Sequence, residues 1–141
     1  MKYHFKIHKD GKGFWAECLE IEGCLTQGEN RKHLAAMVKD ALEAMLSAPD
    51  DSKWILPLPN PSLKGKNIMV VSPAPTVALA ALLHRHRLVN HWTQRQATEK
   101  LGLKNLIQYQ RLEKGNSNPE FKTLVKIKAA FPDFSVDAVL A

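Results

Sequence analysis

Residues 92–119 read WTQRQATEKLGLKNLIQYQRLEKGNSNP, and this stretch decides the architecture of the second half of the chain. Thr93 is suited to cap a helix, Gln94 to Leu101 have helix-forming character, and Gly102 lets the chain turn sharply without a Cβ penalty. A second short helix follows, in which Leu106, Tyr109 and Leu112 recur at helical spacing and face a core. That spacing leaves Lys104, Gln108 and Arg111 on the opposite side, with Ile107 among them. Two helices joined in this way make a helix-turn-helix. Long polar side chains on its outer face can reach phosphate oxygens and base edges when the second helix enters a major groove. Many small helix pairs are only packing units with a solvated polar face, so spacing alone leaves both readings open.

Working outward, Phe121 to Phe131 forms a further helix, with Leu124, Val125, Ile127 and Ala130 as its buried stripe and Lys122, Lys126 and Lys128 outside. The tail from Phe134 to Ala141 is apolar enough to pack or to dimerise. On the other side, Thr76 to Arg87 is a support helix burying Val77, Leu79, Ala80 and Leu83. Ser72-Pro73-Ala74-Pro75 stiffens the connection before it. The expected division is therefore residues 1–72, a linker at 73–75, and a helical domain at 76–141.

The first half has a different period. Tyr3, Phe5 and Ile7 alternate with His4, Lys6 and His8, as in a half-buried strand, and Asp10-Gly11 turns the chain into a second strand from Gly13 to Cys18. A loop and a third short strand occupy Glu20 to Gly28, and Asn30 caps a helix from Arg31 to about Ser47. Leu34, Met37, Val38, Ala41, Leu42 and Met45 give that helix one stripe that can cover a small sheet. Residues 48–66, with Pro49, Pro57, Pro59 and Pro61, run extended and are anchored by Trp54 and Ile55. The β-branched run Asn67 to Val71 is a fourth strand.

Charge separates the two halves. Residues 1–72 carry 10 Lys/Arg against 9 Asp/Glu, and residues 73–141 carry 10 against 5, which accounts for the net +6 of the 141-residue chain. The excess sits where phosphates would be neutralised. With 45% hydrophobic and 24% charged residues, the chain can bury two small cores and is not expected to be disordered. Two cysteines, Cys18 and Cys24, indicate neither a disulfide framework nor a four-ligand zinc site. No run of 18 apolar residues occurs and the start lacks a signal-peptide core, so a soluble, cytoplasmic protein without membrane contact is expected.

Thr93-Gln94, Leu101-Gly102, Arg111-Leu112-Glu113-Lys114-Gly115 and Asn118-Pro119 follow the order of the Cro/CI-like, or Xre-type, helix-turn-helix family, which this segment resembles. The resemblance implies operator DNA binding, usually as a dimer. The segment after Gly102 is one residue longer than the family pattern, which brings Asn105 and Gln110 into competition for the base-reading positions.

A second resemblance lies in the first half. Gly13-Phe14-Trp15, then Glu20-Ile21-Glu22-Gly23-Cys24-Leu25-Thr26-Gln27-Gly28-Glu29, then an Ala- and Leu-rich helix, resemble the N-terminal domain of HicB antitoxins. One branch of that family continues into an Xre-type helix-turn-helix, so the resemblance covers nearly the whole chain. It implies an α+β protein: a small partial ribonuclease H-like β-β-β-α-β domain followed by an all-α DNA-binding domain. It further implies an antitoxin that neutralises a HicA-type, mRNA-cleaving toxin by direct binding and represses its own operon. Glu22 stands where proline is common in the family, and Lys32-His33 stand where an acidic pair often opens the helix.

Nuclease chemistry on such a fold requires a cluster of carboxylates holding divalent metal ions. Asp10 falls in a hairpin, Glu17 on a strand, and Glu20 and Glu22 in a loop, so no spacing brings three together. The reading is a non-enzyme with no cofactor and no metal site. His84, His86 and His91 lack ligand partners at metal spacing, and His4 and His8 share a strand face expected to be exposed. A toxin that grips RNA is basic, and Glu17, Glu20, Glu22 and Glu29 would steer it, with Trp15 and Trp54 as apolar anchors. Ordinary surface charge and core packing are the competing accounts.

On the DNA side the contacting set is Thr93, Gln94, Arg95, Lys104, Asn105, Gln108 and Arg111. Gln108 can pair with adenine, Arg111 with guanine or a phosphate, and Lys104 and Arg95 with phosphates. One short helix offers little contact area, so a homodimer or higher oligomer through the C-terminal domain is expected. The runner-up is a stand-alone transcriptional regulator whose first domain senses a small ligand.

Overall fold

The computed structural model describes residues 1–47, 49 and 51–141; Ala48 and Asp50, within the stretch read as extended, lie outside the described residues. The chain is α+β, with a four-stranded antiparallel sheet and six helices among the described residues. It divides into two compact units: Met1–Leu46 with Pro57–Ala74 and Ala141, and Ser47–Leu56 with Pro75–Leu140.

In the first unit, β1 (Tyr3–Asp10) and β2 (Gly13–Cys18) form the hairpin that the Asp10-Gly11 signal predicts, with Gly11 at a positive φ of 57°. β3 (Leu25–Gly28) pairs with β2, and β4 (Ile68–Val71) pairs antiparallel with β1, giving the order β3-β2-β1-β4. Alternation buries Tyr3, Phe5, Ile7, Ala16 and Cys18 on one face. Helix α1 (Arg31–Leu46) covers that face with Leu34, Val38, Leu42 and Leu46. Asn30 caps it, its Oδ1 accepting from the His33 N–H at 2.8 Å.

His4 departs from the expected exposure. Its ring Nδ1 lies 2.6 Å from Glu20 Oε1, its backbone N–H donates to Glu20 Oε2 at 3.0 Å, and both side chains are buried. Burying the imidazole is tolerated because the carboxylate of the following loop satisfies it. The same carboxylate accepts from the Asn60 N–H, so one buried acid ties β1 to the returning segment. The anchor assignment for the extended stretch also changes: Trp54 and Ile55 are largely exposed, and Leu56 is the buried residue.

The second unit is built round α2 (Pro75–Val89). A single stripe was expected, yet Ala78, Leu79, Ala80, Ala81, Leu82, Leu83, His84 and Arg87 are all buried. The reason is a second cover. Ser47–Leu56 belongs to this unit, and it accepts hydrogen bonds from α2 at two carbonyls: Leu56 O from Arg85 Nε at 2.8 Å, and Ser52 O in contact with His84 Nε2 at 3.1 Å. Around α2 lie α3 (Gln94–Lys100), α4 (Leu106–Leu112), α5 (Phe121–Ala130) and α6 (Val136–Leu140). Thr93 caps α3 in a reciprocal box with Gln96, and Gly102 turns the chain at φ 66°. Of the stripe expected on α5, only Ile127 is fully buried; Val125 is exposed, as is Phe121 at 81%.

Candidate functional site

The short helix α4 is held in place by a buried ionic network at its C-terminal end. Arg87 on α2 donates from Nε to Glu113 Oε1 at 2.7 Å and from Nη2 to Oε2 at 3.2 Å. The side chains are 6% and 1% exposed. Tyr109 Oη donates to Oε1 at 2.6 Å and Gln94 Nε2 to Oε2 at 3.0 Å, so the carboxylate is satisfied from three helices. Burial pushes the Glu113 carboxyl up, but the hydrogen bonds from Arg87, Tyr109 and Gln94 outweigh it and hold the group below its ordinary value. Burial and the Glu113 charge push the Tyr109 phenol up.

Neither Arg87 nor Glu113 was a candidate site residue from sequence. A signal was present: Arg87 lies four residues beyond Leu83 and seven beyond Ala80, on the buried stripe of α2, where an arginine needs a partner. Which acid would supply it was not readable.

The network defines which side of α4 faces out. Tyr109 and Leu112 are buried, Leu106 is half-buried, and Ile107, Gln108 and Arg111 are exposed, Ile107 at 59%; Lys104, expected on this face, is exposed in the turn before the N-cap instead. The guanidinium of Arg111 and the ammonium of Lys104 have no hydrogen-bond or ion-pair partner among the described residues.

The amides among the expected DNA-contacting residues are differently placed. Asn105 is the N-cap of α4, its side chain accepting from the Gln108 N–H at 3.0 Å. Gln108 Oε1 in turn accepts from the Lys104 N–H at 2.9 Å. Paired hydrogen bonds from Gln108 to adenine would require that oxygen to leave the cap. Gln94 is half-buried, bonded to Glu113 and, through its Oε1, to Gln110 Nε2 at 3.2 Å. It is a positioning residue here. Thr93 holds the α3 cap through its hydroxyl oxygen, and Arg95 is exposed beside it.

The acidic set in the first unit also divides. Glu22 and Glu29 are exposed at the two ends of β3. Glu17 is half-exposed on β2, 3.4 Å from His8 Nε2, and Trp15 on the same face stacks on the His8 ring at a centroid distance of 4.0 Å. Glu20 is not a surface acid: its side chain is 4% exposed and bound to His4, which removes it from the steering set. Trp15, Glu17 and the exposed Leu25 share the sheet face that α1 leaves open. Trp54 lies in the segment that belongs to the second unit.

Among the described residues no group of three or more His, Cys, Asp or Glu side chains could hold a metal ion. No helix among them is long and apolar enough to cross a membrane.

No protein-family model matches the chain, and no curated protein matches it either.

Proposed function

We propose that this chain is a DNA-binding antitoxin of the HicB kind, whose first unit neutralises a small basic ribonuclease and whose second unit represses transcription as a dimer. The observation that carries the DNA half is the outward face of α4, where unpaired Arg111 and exposed Ile107 stand on a helix locked from behind by Glu113, with a second unpaired cation, Lys104, in the turn just before its N-cap. In this reading α3 and α4 form a helix-turn-helix with α4 in the major groove. Arg111 reads guanine or grips a phosphate, while Lys104 and Arg95 neutralise phosphates. An exposed Ile107 at the centre suits contact with a thymine methyl.

For the first half, the element order β-β-β-α-β supports the partial ribonuclease H-like reading. Glu22, Glu29, Glu17 and Trp15 remain as the surface a basic toxin would meet.

A binding titration on the promoter of its own operon, repeated at two salt concentrations, tests the DNA half. Arg111→Ala should cost about 1 to 3 kcal/mol on the cognate site and relax the preference at one base pair. Lys104→Ala should weaken cognate and scrambled DNA alike and reduce the salt slope by about 1. Equal affinity of the unaltered chain for cognate and scrambled DNA would overturn the reading. The toxin half is tested by co-expression with the small basic protein encoded beside it; absence of both co-purification and growth rescue would reject it.

A further inference from the structure

Cys18 and Cys24 stand opposite each other at the end of a ladder. In the β2–β3 pairing Phe14 faces Gly28, Trp15 faces Gln27, Ala16 faces Thr26 and Glu17 faces Leu25. Continuing the same register by one step sets Cys18 against Cys24, and the Cys18 N–H donates to the Cys24 carbonyl at 2.8 Å. The Cys24 N–H donates to the Ile21 carbonyl at 3.3 Å, so one bond joins the two cysteines; opposing antiparallel positions keep Cα atoms about 4.5 to 5.5 Å apart and side chains on one face. That separation falls inside the range a disulfide spans. Both thiols are buried and free. The Cys18 thiol donates to Glu20 Oε2 at 3.5 Å.

We infer that Cys18 and Cys24 are a reversible disulfide site, closed by low-molecular-weight disulfides and reopened by thiols. The exchange is balanced: a reagent RSSR loses its S–S bond, one cysteine is captured as a mixed disulfide, and the other displaces RS⁻ to form the Sγ–Sγ bond. Two RSH leave with the two electrons and two protons of the cysteines. The pair brackets Leu19–Gly23, so closure pins the loop that carries Glu20 and the exposed Glu22. The inference does not depend on the antitoxin reading.

The full-length native chain is incubated with oxidised glutathione, and the products are read by intact mass and by thiol counting after denaturation. The expected product is a monomer that has lost two hydrogens and both of its two free thiols, restored fully by dithiothreitol. Cys24→Ser and, separately, Cys18→Ala should fail to close and should stop at the glutathione adduct of the remaining cysteine. Retention of both thiols by the native chain, or a disulfide linking two chains in place of the internal one, would overturn the inference.

Discussion

Glu113→Ala is expected to be the most damaging single substitution in the second unit, lowering its stability by about 3 to 5 kcal/mol, because it leaves a buried guanidinium without its counter-ion. Arg87 is 6% exposed and cannot turn to water. Tyr109 Oη and Gln94 Nε2 lose their acceptor at the same moment. Chemical denaturation followed by far-UV circular dichroism measures the loss. Replacing Arg87 and Glu113 together with apolar residues of similar volume should recover part of it, since no charge is then orphaned. A Glu113→Ala protein within about 0.5 kcal/mol of the unaltered one would show that the pair is not what holds α4.

The same carboxylate makes stability depend on pH in a defined direction. Its folded pKa lies below the ordinary 4.5, so the folded state binds the proton less tightly than the unfolded state does. The contribution is complete above the unfolded value and is lost as pH falls through the folded one. Acid unfolding of the second unit should therefore set in below about pH 4.5. Glu113→Gln should flatten that limb of the profile.

Gly28→Ala is the second large effect, confined to the first unit. A Cβ there would lie 2.6 Å from both N and Cα of Leu34, and 3.0 Å from its Cβ. Two of those atoms are backbone of α1, so relief requires moving the helix off the sheet. The expected cost is about 3 kcal/mol. Gly11→Ala is the comparison: Gly11 has nothing within 4 Å of its Cβ position and pays only for a left-handed backbone, about 1 kcal/mol. Thermal unfolding of both variants decides the matter, and equal losses would sink the close-approach account.

Much of this architecture is written in short-range patterns. The alternation at Tyr3, Phe5 and Ile7, the Asp10-Gly11 turn, the caps at Asn30 and Thr93, and Gly102 each act over five residues or fewer. Local sterics and hydrogen bonding dictate them whatever the rest of the chain does. The outward side of α4 was readable for the same reason, because helical spacing separates Tyr109 and Leu112 from Ile107 and Arg111, whereas Lys104 precedes the N-cap and lies outside that spacing.

Only the tertiary structure decided the rest. A helix between two strands commonly returns the chain parallel, whereas β4 runs antiparallel to β1 after the long proline-rich connection. His4 finds Glu20 sixteen residues away, Arg87 finds Glu113 twenty-six away, and Arg85 finds the Leu56 carbonyl twenty-nine away. These partnerships turned an expected surface acid into a buried one, and drew Gln94 from the expected DNA contacts into the support of α4. The periodicity of one element says which of its faces is buried; it cannot say which distant polar group will meet that face, because the choice is made by how separate elements pack.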